Sequence, residues 1–168
     1  MKYLIRLLFM ICIFDEAHAQ KGTHTFFGEG FGPGGVYSIN YDKILFSTEK
    51  ALYSIRIGTS GYYREVDTNK KALSIGFPLM FNRLKPQKNI NHNFEIGAGI
   101  GTRWAHYGDE LTKTVKRRLF FGLFGFIGYR YQKPTGGLML RAGWNPVYSI
   151  FDDWFLWYWP AFGIGYSF

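Results

Sequence analysis

Beyond its N-terminal stretch, the chain alternates apolar and small or polar residues with a period of two. In the final stretch Phe162, Ile164, Tyr166 and Phe168 share one parity, against Ala161, Gly163, Gly165 and Ser167 on the other. Leu73, Ile75, Phe77, Leu79 and Phe81 alternate with Ser74, Gly76, Pro78 and Met80. Phe94, Ile96, Ala98, Ile100, Thr102 and Trp104 alternate with Glu95, Gly97, Gly99, Gly101 and Arg103. Shorter runs repeat the pattern at Leu138 to Asn145, Tyr53 to Gly58 and Tyr37 to Asp42. Successive side chains of a β-strand point to opposite faces, so each run predicts a strand with one apolar face. A helix would scatter these residues around its axis. Only Leu119 to Tyr131 is apolar on both faces in places, and its orientation stays open.

A soluble β-sandwich also alternates, but its outer face carries Lys, Glu and Thr. Here the face opposite the apolar one is mostly Gly, Ser and Ala with a few charges, which suits a narrow enclosed interior better than open water. Aromatic residues gather at strand ends, as at Trp154, Phe155, Trp157, Tyr158 and Trp159, where a membrane-interface girdle sits in a barrel. Composition agrees. Aromatics make up 20% of residues, and there are 21 glycines, yet mean hydropathy is only −0.11. After the N-terminus no apolar run is long enough for a membrane helix, which needs about 20 residues. The expected fold is all-β: a transmembrane antiparallel up-and-down β-barrel.

The N-terminus reads as an export signal. Lys2 and Arg6 precede and enter a nearly unbroken apolar run from Leu4 to Phe14, and Ala17-His18-Ala19 offers small residues where a signal peptidase reads. Residues 1–19 are therefore expected to be removed, leaving 20–168 as one barrel domain. Ile11 is too bulky before Cys12 for a lipid-attachment box, and the mature chain then contains no cysteine. Mass spectrometry of membrane-extracted protein should show a first residue of Gln20; retained Met1 would overturn the assignment. The formal charge of +8 survives cleavage, because Lys2 and Arg6 balance Asp15 and Glu16. For an exported chain the counter-charges are anionic lipid or lipopolysaccharide phosphates, not nucleic acid.

Strands are predicted over 23–32, 35–46, 50–63, 71–82, 92–105, 118–132, 136–148 and 158–168. A kink at Gly32-Pro33-Gly34 in place of a turn would leave one strand fewer. Both termini in the periplasm require an even number, which favours about eight. Inner turns fall at Ser47–Glu49, Arg83–Asn91 and Lys133–Gly137. Outer loops fall at Pro33–Gly34, Arg64–Lys70, His106–Arg117 and Ser149–Trp157.

The terminal run Phe162-Gly163-Ile164-Gly165-Tyr166-Ser167-Phe168 and the segment Gly35-Val36-Tyr37-Ser38-Ile39-Asn40-Tyr41 resemble those of small Gram-negative outer-membrane β-barrel proteins, especially the Bacteroidetes-type domain. The resemblance spans the whole mature chain and implies residence in the cell outer membrane. In that family a C-terminal aromatic with alternating apolar residues before it is read by the barrel-assembly machinery, a role the resemblance gives to Ile164, Tyr166 and Phe168. It specifies insertion, not activity, since such folds host enzymes, adhesins, plugs and complex subunits.

Candidate chemistry is sparse. His24, His92 and His106 lack the close spacing of a local metal site, so neither metal nor cofactor is expected. His106 near Asp109 and Glu110, and the pair Asp152-Asp153, are the groups from which a lipid-modifying site would be assembled, but spacing alone does not bring them together. The glycines at 28, 30, 32, 34 and 35 lack a following helix to present its N-terminus to a phosphate. Lys113, Lys116, Arg117 and Arg118 lie where lipopolysaccharide phosphates would, or form a solvated basic loop. Asp42, Arg56, Glu95, Arg103, Arg130 and Arg141, with Glu29 at the margin of the set, fall mainly on the inward face and are expected to pair across a lumen barely wide enough for side chains.

These features favour a non-catalytic barrel with a plugged interior, structural or a binding subunit of an envelope complex, in contact with outer-membrane lipid and lipopolysaccharide. The alternative is an outer-membrane enzyme acting on lipid A or phospholipid acyl groups, as hydrolase or transferase. A passive pore ranks last.

Overall fold

A computed structural model describes residues 22–67, 70–109, 114–150, 154–157 and 159–168. Residues 1–19, expected to be an export signal, lie outside the described residues. Ten strands form one closed antiparallel sheet: β1 (His24–Phe31), β2 (Tyr37–Ser47), β3 (Leu52–Asp67), β4 (Lys70–Pro86), β5 (His92–Asp109), β6 (Thr114–Gln132), β7 (Gly137–Trp144), β8 (Val147–Ser149), β9 (Trp154–Leu156) and β10 (Pro160–Ser167). From β1 to β7 neighbours in sequence pair with each other, β8 pairs with β6 and β9, β10 pairs with β7, and β1 closes the ring against β10, with Thr25 opposite Ser167 and Phe31 opposite Ala161.

Four of the ten are halves of two interrupted strands, β7 with β8 and β9 with β10. β6 pairs first with β8 and then with β7 in one unbroken register, Phe124 opposite Val147 and Ile127 opposite Trp144. The break between them is Asn145-Pro146, because proline has no N–H for the ladder. The Pro146 carbonyl still accepts from Gly125 N at 2.9 Å. β9 returns along β8, and β10 continues along β7, so the barrel has eight staves.

The apolar parity faces outward all round. Ile39, Ile57, Phe77, Ile100, Trp104, Leu123, Ile127 and Ile164 are each more than two-fifths exposed, whereas Ser38, Asn40, Ser54, Arg56, Asn82 and Glu95 are buried. β6 follows the same rule, with Leu119, Leu123, Ile127 and Tyr129 outward and Phe126 and Arg130 inward. This is a soluble protein turned inside out, as a lipid-facing barrel must be.

Three predicted loops differ. Arg64–Lys70 and His106–Arg117 are mostly paired strand, since β3 runs to Asp67, β4 starts at Lys70, β5 reaches Asp109 and β6 starts at Thr114. Polar side chains suggested loops there, but ladder hydrogen bonds form as readily beyond an apolar band as within it. In the third, Ser149–Trp157, Ser149 pairs with Trp154 and β9 covers Trp154–Leu156.

Candidate functional site

The inward residues of β1 to β7 converge in mid-lumen on a chain of alternating charges. Glu29 on β1 accepts from Arg56 Nη1 on β3 at 3.0 Å and from Arg141 Nη1 on β7 at 2.6 Å. Arg141 Nε donates to Glu95 Oε2 on β5 at 3.0 Å. Glu95 Oε1 lies 3.9 Å from Arg130 Nη1 on β6, and Arg130 Nη2 donates to Asp42 Oδ1 on β2 at 3.0 Å. Asp42 ends the chain by accepting from Ser54 Oγ at 2.9 Å and Asn82 Nδ2 at 3.3 Å. The sequence Arg56, Glu29, Arg141, Glu95, Arg130, Asp42 thus joins three cations to three anions, one from each of six strands.

Register explains why the chain runs across the lumen. Arg130 and Arg141 stand directly opposite on adjacent strands. Like charges so placed repel, and Glu95 sits against both. Asp42 and Arg56 are also cross-strand partners, yet Arg56 reaches instead to Glu29 on the strand beyond. Aromatic faces fill the gaps: the Arg141 guanidinium carbon lies 3.6 Å from the Phe126 ring centroid, and Arg56 lies 5.6 Å from that of Phe27. Stacking of this kind favours arginine over lysine. Toward the termini, Thr25 Oγ1 meets Ser167 Oγ at 2.8 Å and accepts from Arg130 and Gln132, so the polar packing continues below the charges.

Five of the six inward candidates join this chain. Arg103 does not, and among the described residues no carboxylate pairs with it, contrary to the expectation. Its Nη1 donates to Ser74 Oγ at 3.2 Å, and its Nη2 to Ser60 Oγ at 3.4 Å and to the Gly34 carbonyl. All these acceptors are neutral. It stands nearer the end opposite the termini, with neither Glu29 nor Glu95 bonded to it. Glu29, only marginal by sequence, is the junction of two arginines. Its position was blurred because β1 puts glycines outward at 28 and 30 and the apolar Phe27 inward, inverting the usual pattern.

The second element that sequence missed is an inward fold between β1 and β2. Gly32–Gly34 forms a single 3-10 turn that is buried, not a loop over the rim. Phe31, Gly32 and Gly35 take positive φ values of 61°, 75° and 86°, which turn the chain into the lumen. Such a conformation is rare for a bulky residue like Phe31. Trp159 Nε1 clasps the Gly32 carbonyl at 3.0 Å, and Arg103 holds that of Gly34.

The remaining candidates are less informative. His24 Nδ1 lies 2.5 Å from Tyr41 Oη, and His92 Nδ1 bonds Tyr129 Oη, so both histidines are tied to tyrosines of adjoining strands. The backbone of His106 pairs opposite Arg117, and Asp109 opposite Thr114, while Glu110, Asp152 and Asp153 lie outside the described residues. Lys116, Arg117 and Arg118 are β6 residues opposite Tyr107, His106 and Ala105; Lys113 lies outside the described residues. Phe168 closes the barrel seam through two backbone hydrogen bonds with His24, of 2.8 and 3.0 Å, while Ile164 and Tyr166 face outward. Among the described residues no group of three or more His, Cys, Asp or Glu is placed to hold a metal ion.

No family model and no curated protein matches the sequence. Among solved structures, the barrel is similar to the N-terminal β-barrel domain of Pseudomonas aeruginosa OprF, with a TM-score of 0.60 and 12% identity, covering 86% of this chain and 95% of that one. At that identity the likeness is one of fold: a small eight-stranded outer-membrane-type barrel. It lends no support to the Bacteroidetes-type affiliation.

Proposed function

We propose that this chain is an integral outer-membrane barrel with a closed interior, non-catalytic, acting as a structural element or as a binding subunit of an envelope complex. The observation that carries this reading is the alternating charge chain across the lumen. Each charged group meets an opposite partner, so the middle of the barrel is filled by its own side chains, and a stave number of eight leaves little other space. The outward apolar surface supports membrane residence, with the termini end facing the periplasm. The basic residues Lys113, Lys116, Arg117 and Arg118 would then meet lipopolysaccharide phosphates at the outer surface, and Ile164, Tyr166 and Phe168 would engage the assembly machinery.

Planar-bilayer recording of the refolded protein tests the closed interior. The expected trace is flat at voltages where porins conduct. Steady conductance steps would refute the sealed lumen. Incubation with an isotope-labelled lipid extract separates this reading from the enzyme alternative, because only an acyl hydrolase or transferase would change the acyl pattern.

A further inference from the structure

Above the charge chain, on the side away from the termini, the lumen holds a cavity of about 210 Å³ between the inward turn and the wall formed by β4, β5, β6, β8 and β9. Its wall is apolar, made by Pro78, Phe120, Phe124, Val147 and Leu156, with Gly101 and Gly122 thinning it, and Arg103 stands in it as the cation. Arginine presents five N–H donors. Among the described residues three hydrogen bonds engage them, all from Nη1 and Nη2 and all to neutral oxygens. The three arginines below are matched by three carboxylates, whereas among the described residues Arg103 is held by neutral oxygens alone.

The barrel wall is also interrupted beside this cavity. β2 and β3 stop pairing at Ile39 opposite Thr59, while β3 continues beside β4 as far as Asp67 opposite Lys70. Among the described residues β9 is bonded to β8 alone. In the ring order these two edges stand on either side of β1 and β2, whose connecting turn Gly32–Gly34 is buried. This notch in the pairing lies at the rim, where an outward apolar surface gives way to the aromatic residues Phe155 and Trp157, both well exposed.

We propose that this cavity is a binding site for a single-chain anionic amphiphile, whose head group pairs with Arg103 and whose acyl chain lies against Phe120, Phe124 and Val147. An apolar pocket with one convergent charged group is the usual form of a ligand site, and a planar guanidinium suits a carboxylate or phosphate through paired hydrogen bonds. The notch is the path by which a chain already in the outer leaflet enters sideways. The middle of the barrel stays sealed, so the site goes beyond the closed-lumen reading and fails or stands independently of it.

The test is NMR titration of ¹⁵N-labelled protein refolded in zwitterionic nanodiscs, following the amides of Gly101 and Gly122 and the Arg103 Nε–H. Dodecanoate and dodecyl phosphate are the probes, with dodecanol as the uncharged chain and acetate and inorganic phosphate as the bare heads. Saturable shifts at these interior groups are expected with dodecanoate, dodecyl phosphate or both, and which of them binds tells a fatty-acid head from a phosphate head. Binding should weaken at least tenfold for dodecanol, for the bare heads, and in Arg103→Met and Val147→Phe. Outward-facing amides, which report only partitioning into the bilayer, should respond alike to all three chains. Absence of interior shifts, equal binding of dodecanol and dodecanoate, or equal binding by the bare heads would overturn the proposal, and these three need no variant to fold. Unchanged binding by a folded Val147→Phe barrel would overturn it as well.

Discussion

Replacing Arg141 with Leu is expected to destabilise the barrel by about 3–5 kcal/mol, the range for removing one partner of a buried ion pair. Among the described residues Arg141 alone bonds both Glu29 and Glu95, at 2.6 and 3.0 Å. Without it Glu95 keeps only Arg130 at 3.9 Å, and Glu29 only Arg56. Two carboxylates deep in the lumen then lose a charged hydrogen bond each, with no water-filled channel to compensate. Arg103→Ala makes the informative contrast. It severs hydrogen bonds to neutral oxygens, each worth about 0.5–1.5 kcal/mol net, and strands no carboxylate among the described residues. Urea unfolding of the refolded proteins in lipid vesicles should therefore rank Arg141→Leu well below Arg103→Ala. Equal losses, or a neutral Arg141→Leu, would show that the charge chain is not what holds the lumen closed.

Deleting Phe168 should lower the amount of folded protein in the outer membrane of cells at least tenfold, while costing the purified, refolded barrel far less. Structurally Phe168 adds one end of the seam: its backbone pairs with His24, and its ring stacks on His24 and Phe26 at centroid distances of 5.8 and 5.9 Å. These are contacts at a half-exposed strand end, next to the seven further residue pairs that join β1 to β10. Their loss frays the seam without opening it. A large effect in cells beside a small one in vitro is the signature of a recognition signal, which the alternating run of Ile164, Tyr166 and Phe168 resembles. Normal outer-membrane levels of the deleted chain, measured by membrane fractionation and heat-modifiable gel mobility, would count decisively against the role.

The alternation of Phe162 to Phe168, Leu73 to Phe81 and Phe94 to Trp104 was enough to determine strands, their faces and a closed sheet. Period-two patterning is a local property, and in a lipid-facing barrel it repeats on every stave, so few long-range facts are needed to infer the architecture. The same parity picked out Asp42, Arg56, Glu95, Arg130 and Arg141 as inward. Strand ends were less legible, because Arg64 to Asp67 and His106 to Asp109 are polar on a ladder whose hydrogen bonds do not depend on side-chain polarity.

What only the tertiary structure decided is who meets whom inside. Parity places a charge on the inner wall but says nothing of its height or of which stave lies across the lumen. Barrel closure and strand stagger set both, so Arg56 passes over its cross-strand neighbour Asp42 to reach Glu29, and Arg103 is bonded to Ser60, Ser74 and the Gly34 carbonyl. The inward turn at Gly32–Gly34 was likewise invisible. Its glycines signalled a bend, but the direction of that bend follows from positive φ at Phe31, Gly32 and Gly35 and from the grip of Trp159 and Arg103, residues far away in sequence that only the closed barrel brings to it.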